Sequence, residues 1–146
     1  MVLDVAGVAR EVGEAAAPVL WDGDGRSLTR AALLEAVDRR SAELVEADAP
    51  GGTIRPIEAL ADTGGVVELL AHWRAGLTPA PLRPGLPRDE RREAVRTLSG
   101  AEVRAQAVLW TSGTAGRARG VALGAEGLRA HVAAARARQP PVHVNV

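Results

Sequence analysis

The sequence predicts an α/β layer structure, and three observations predict it. Extended apolar segments alternate along the chain with segments whose apolar residues recur at helical spacing. The run Ala107-Val108-Leu109-Trp110 is continuously apolar, as expected for a strand covered on both faces. The 146 residues, 47% hydrophobic and 25% charged, suit one globular domain with a single core.

Composition excludes several function classes. The 18 basic and 18 acidic side chains cancel, which speaks against nonspecific binding to nucleic acid or to an anionic membrane. All 18 basic residues are Arg, so lysine-dependent chemistry is excluded. The chain has no Cys, hence no disulfide framework and no thiolate site. Phe and Tyr are also missing, and three Trp (Trp21, Trp73, Trp110) are the only aromatic residues of a core otherwise built from Val, Leu and Ala, which implies modest stability. No basic N-terminal region and no apolar run of spanning length occurs, so a cytoplasmic location is the expectation.

Taken in order, Asp4–Ala17 places Val5, Val8 and Val12 at helical spacing with Asp4 as N-cap. Pro18–Trp21 reads as a strand entering an Asp-Gly turn at Asp22–Gly25, which lacks the oxygen ligands of a calcium loop. Ser27 or Thr29 caps a helix with Leu33, Leu34, Val37, Leu44 and Val45 on one side, and Arg39 and Arg40 belong to its solvated face. Thr53–Ile57 reads as a short strand weakened by Pro56. A helix over Val66–Ala75 ends at Gly76 as a left-handed C′ residue, with Glu68 and His72 as an exposed ion pair. Leu77–Leu82, interrupted by Pro79 and Pro81, is an edge strand or an extended segment. A charged helix covers Arg88–Leu98 and exits at Gly100. After the strand at Ala107–Trp110, Val121–Leu123 resumes the extended pattern. An alanine-rich helix covers Glu126–Arg138 with Leu128, Val132 and Ala135 on one stripe, and the tail over 139–146 is expected to fray.

One stretch implies a chemistry. Between Thr111 and Gly120 lie three hydroxyls (Thr111, Ser112, Thr114), three glycines (Gly113, Gly116, Gly120) and two guanidinium groups (Arg117, Arg119). Glycines let backbone N–H groups approach an anion, hydroxyls donate hydrogen bonds and arginines neutralise charge, a combination that suits a polyphosphate. A polar hairpin between two strands would use Gly, Ser and Thr as well. The lysine-bearing P-loop is excluded because Val121 follows Gly120, and no G-x-G-x-x-G spacing exists for a dinucleotide.

The residues Leu109-Trp110-Thr111-Ser112-Gly113-Thr114-Ala115-Gly116-Arg117-Ala118-Arg119-Gly120-Val121 resemble the Thr-Ser-Gly-Thr-Thr-Gly-x-Pro-Lys-Gly loop of the adenylate-forming (AMP-binding) enzymes, a family that includes acyl-CoA synthetases. The segment Val66–Pro84, with its Trp-Arg-Ala-Gly turn and Pro-Leu-Arg-Pro, is similar to what precedes that loop, and Gly25–Glu46 is similar to the family's first long helix. The resemblance runs from about Pro18 to about Ala137. It implies an incomplete N-terminal subdomain with a largely parallel sheet flanked by helices, a partial AMP-binding domain over 1–138 and a divergent tail over 139–146.

By position, the resemblance implies that Thr111, Ser112, Gly113, Thr114 and Gly116 contact phosphate oxygens of ATP, with Arg117 and Gly120 in the same loop and Arg119 standing where the family has Lys. The implied reaction is ATP-dependent, AMP-forming ligation of a carboxylic acid, with Mg as the family's metal and coenzyme A as its co-substrate. Ala115 and Ala118 depart from the family's Thr and Pro, and Gly124-Ala125-Glu126 departs from its Thr-His-Arg. The Tyr-Gly-x-Thr-Glu segment and the catalytic Lys are not in this sequence, so the chain alone is not expected to complete adenylation, and a second polypeptide carrying the missing domain would restore activity. Two other readings stay open: a stand-alone nucleotide or polyphosphate binding module, and an inactive truncated remnant.

Overall fold

In the computed structural model the described residues are 16, 18–21, 23, 25–47, 53–58, 60–99, 105–111 and 119–138. The helix expected over Asp4–Ala17, apart from Ala16, and the tail over 139–146 lie outside them. Strands β1 (Pro18–Trp21) and β2 (Ser27–Thr29) form an antiparallel hairpin, and Gly25 in its turn has φ +78°, as the Asp-Gly pattern implied. Helix α1 (Arg30–Glu46) follows at once. Its cap is Thr29, whose hydroxyl accepts the Ala32 N–H at 3.2 Å. Leu33, Leu34, Val37 and Leu44 face inward, whereas Val45 is exposed.

Strand β3 (Ile54–Glu58) leads to α2 (Thr63–Arg74), which starts three residues earlier than the apolar spacing suggested. Asp62 sets that start by accepting the Gly65 N–H at 2.8 Å, and a Cβ on Gly65 would collide with the Leu60 carbonyl oxygen. The other end closes as expected. Gly76 takes φ +73°, its N–H bonds the Trp73 carbonyl, and the Leu77 N–H bonds the His72 carbonyl at 2.8 Å, so the last carbonyls of α2 are satisfied.

Strand β4 (Thr78–Leu82) pairs with β3 in parallel, in register from Ile54 opposite Thr78 to Glu58 opposite Leu82. It is buried: Ala80 is fully covered, and Pro79 is among the largest side chains fully out of solvent. Alternation of the backbone explains how its prolines fit. The Thr78 N–H bonds the Thr53 carbonyl at 3.0 Å, so residues 78, 80 and 82 present their N–H groups to β3 and positions 79 and 81 face the other way. Both of those positions are proline, which has no N–H to waste. Pro56 on β3 points away from β4 by the same alternation.

Helix α3 (Arg88–Ser99) buries Ala94 and Leu98 and leaves its charged positions in solvent. Strands β5 (Ala107–Thr111) and β6 (Arg119–Leu123) form an antiparallel hairpin that passes through Gly124 into α4 (Ala125–Arg138). β4 lies between β3 and β5. The core joins Ala80 of β4, Leu98 of α3 and Val108 of β5, with Ile54 and Trp110 packed against them. Among the described residues, then, the α/β layers consist of one parallel strand pair and two antiparallel hairpins, with four helices. No described helix is long and apolar enough to cross a membrane.

Two expectations are corrected. β5 is not covered on both faces: Val108 is buried but Leu109 is 46% exposed, because β5 alternates between the core and an uncovered side. The Glu68–His72 pair is not an exposed one either. His72 is only 3% exposed, its Nδ1 lies 2.8 Å from the Glu68 carbonyl, and the Glu68 carboxylate is taken by Arg40 of α1 at 2.7 and 3.0 Å. Arg40 therefore leaves the solvated face and clamps α1 to α2, as does Arg74 on Asp38 at 2.6 Å.

Candidate functional site

The candidate site is the connection between β5 and β6. Thr111 and Arg119 are directly opposed as the last pair of the ladder, so the seven residues 112–118 leave and return at adjacent backbone positions. Ser112, Gly113, Thr114, Gly116 and Arg117 lie outside the described residues, and Thr111 and Arg119 are described by their backbones. What the structure fixes is the mouth of the loop and the hairpin that carries it.

Gly120 is described fully. It sits in β6 opposite Trp110, and a Cβ there would meet Val108 Cγ1 at 3.1 Å and the Trp110 ring at 3.7 Å. The missing side chain thus lets the hairpin close over Trp110. The indole N–H of Trp110 is buried and has no hydrogen-bond partner among the described residues.

The far end of the hairpin is anchored. The Gln106 N–H bonds the Leu123 carbonyl at 2.7 Å, the Thr78 hydroxyl donates to the Ala105 carbonyl at 2.7 Å, and the Trp73 indole donates to the Gln106 carbonyl at 2.6 Å. Those side chains supply the donors that Pro79 and Pro81 deny to this side of β4. Sequence reasoning missed Thr78 and Trp73 as supports of the site. The available signal was the Trp at the C-terminal end of α2, whose polar tip had to find an acceptor if buried.

Between α1 and α2, the Arg40 guanidinium holds the Glu68 carboxyl under its ordinary value by paired hydrogen bonds, against the opposing effect of burial. That network ties α1 to α2.

No protein-family model matches the chain, and no curated protein matches it. Solved structures do. MatB from Rhodopseudomonas palustris, bound to ATP, superposes with a TM-score of 0.69 at 15% identity, over 90% of this chain and 36% of that one. The O-succinylbenzoate coenzyme A synthetase of Bacillus subtilis, in complex with AMP, gives 0.70 at 16% identity over 92% and 46%. The fold is that of the N-terminal part of an adenylate-forming enzyme. A Klebsiella oxytoca N-terminal subdomain, that of NpsA in complex with 3-hydroxyanthranilyl-AMSN, agrees with a TM-score of 0.63 at 18% identity over 81% of this chain and 39% of that one. The chain thus spans 36–46% of the length of these adenylate-forming structures.

Proposed function

We propose that this chain is the phosphate-binding portion of an ATP-dependent, AMP-forming carboxylate ligase of the acyl-CoA synthetase kind, a partial AMP-binding domain over 1–138, working in the cytoplasm with a polypeptide that supplies the rest of the enzyme. One observation carries the reading: the Thr-Ser-Gly-Thr-Ala-Gly stretch, Thr111–Gly116, starts at the end of β5 and bridges a closed antiparallel hairpin in an adenylate-forming fold. A tight hairpin mouth confines a glycine-rich loop so that successive N–H groups and hydroxyls converge on one anion. In this reading Thr111, Ser112, Gly113, Thr114 and Gly116 hold the β- and γ-phosphates, while Arg117 and Arg119 offset their charge. Arg119 brings a planar fork in place of a compact ammonium and so favours two phosphate oxygens at once. Gly120 seats the hairpin against Trp110. Mg would accompany the ATP, and coenzyme A would capture the acyl group.

Attack of the acid on the α-phosphorus requires groups that this chain does not contain, the catalytic Lys first among them. The chain alone is therefore expected neither to hold ATP tightly nor to turn it over, and two measurements test this. Isothermal calorimetry of the purified chain should detect no micromolar binding of ATP or pyrophosphate, since the sequence holds neither the Tyr-Gly-x-Thr-Glu segment nor a Lys. ATP–pyrophosphate exchange should likewise stay at the level of the Ser112→Ala/Thr114→Ala control. Tight binding by the chain alone would make it a stand-alone nucleotide module, and exchange above the control would make it a complete catalyst; either result overturns the proposal.

A further inference from the structure

Arg83 is a guanidinium that the fold positions and does not use. It follows Leu82, the last residue of β4, and starts the turn Arg83-Pro84-Gly85-Leu86, which the Leu86 N–H closes on the Arg83 carbonyl at 3.3 Å. Pro84 fixes one φ of that turn and Gly85 takes φ +70°, so the backbone that carries Arg83 is tightly constrained. The residue is exposed and, among the described residues, holds no carboxylate, not even that of Glu58, which ends β3 opposite Leu82. Arg39, Arg40, Arg74, Arg92 and Arg96 differ in this, since each stands in an ion pair.

The place of Arg83 in the fold gives it a partner. The Thr78 hydroxyl bonds the Ala105 carbonyl and Ala80 shares a core with Val108, so β4 and β5 run in the same direction and Arg83 comes level with Trp110 and Thr111. The Cα atoms of the two strands approach within 8 Å, a span that an arginine side chain covers. Thr111 is where the glycine-rich loop leaves β5, and Arg119, opposite it, is where the loop returns. Open α/β folds gather their ligands at the carboxyl ends of strands, and a triphosphate carries more negative charge than the two guanidinium groups Arg117 and Arg119 offset. Resting on the proposed phosphate loop, we propose that Arg83 is a third cationic contact for the polyphosphate, a planar fork held by β4 that binds anionic oxygens at the loop mouth.

NMR of the isotope-labelled 146-residue chain tests this, with inorganic tripolyphosphate added to millimolar concentration and binding read from the amide signals of Thr111, Arg119 and Gly120 and from the Trp110 indole. The parent is expected to saturate in the millimolar range, as suits a chain that does not hold ATP tightly alone. Arg83→Gln should weaken that binding about tenfold, the worth of one charge-assisted contact. Arg39→Gln, on the solvent side of α1, should leave it unchanged. Both residues are exposed, so each variant should keep the thermal unfolding of the parent. Undiminished affinity in Arg83→Gln overturns the assignment of Arg83 and leaves the loop standing. An equal loss in Arg39→Gln does the same, because it marks a general effect of charge. If tripolyphosphate moves none of the signals at the mouth, the phosphate loop and Arg83 both fall.

Discussion

Trp73 and Trp110 do different work for the same hairpin. The first donates its indole N–H to the Gln106 carbonyl at 2.6 Å, and the second buries the same group with no acceptor among the described residues. Replacing either by Phe removes similar volume, so the packing losses nearly cancel in the comparison. What differs is the hydrogen bond. Trp73→Phe should cost about 1 kcal/mol more than Trp110→Phe in denaturant unfolding, because it orphans a carbonyl whereas the other change removes an unpaired donor. Equal losses would show that Trp110 finds a partner in solution. Composition exposed both residues to view as the rare aromatics of the chain, but nothing in their neighbours said which indole would be satisfied. The same limit applies to His72. Its spacing from Glu68 was legible and its burial was not, because burial depends on α1, and α1 meets α2 through residues nearly thirty positions away.

At the level of elements, the Arg40–Glu68 clamp decides how α1 sits on α2. Glu68 is held below its ordinary value of 4.5, chiefly by hydrogen bonds from Arg40. A carboxyl depressed in the folded state adds stability above its unfolded value and loses it as pH falls through the folded one. Thermal melting should therefore show a loss that sets in below pH 4.5, and Glu68→Gln should flatten that part of the profile while lowering stability at neutral pH. Arg40 is more than a third exposed, so the neutral-pH cost should be about 1 kcal/mol. An unchanged acid slope in the variant would remove the clamp from the account. Helices were the readable part of this sequence, since apolar spacing and caps are local: α1 through α4 all lie within three residues of where that spacing put them. Strand β4 resisted reading because two prolines argue against a buried strand, and only the direction of the Thr78 N–H shows that both fall on the side without a ladder. The loop was legible in composition, whereas its closed mouth follows from the pairing of Thr111 with Arg119, which no local pattern reports.

For the molecule as a whole, the parallel pair and the loop-bearing hairpin are joined in different ways. β3 and β4 share a ladder, while β5 meets β4 through the Thr78 hydroxyl on the Ala105 carbonyl and the packing of Val108 with Ala80, and α2 adds the Trp73 indole on the Gln106 carbonyl. Regions with fewer backbone bonds to their neighbours open at lower free energy. Hydrogen exchange followed by mass spectrometry should therefore show 107–111 and 119–123 exchanging before 54–58 and 78–82. Loss of protection in all four strands together would mean a single cooperative unit. The two prolines of β4 thus act on motion as well as on pairing. By leaving this boundary without a ladder, they let the β5–β6 hairpin part from β4 without breaking the backbone bonds that hold β3 to β4.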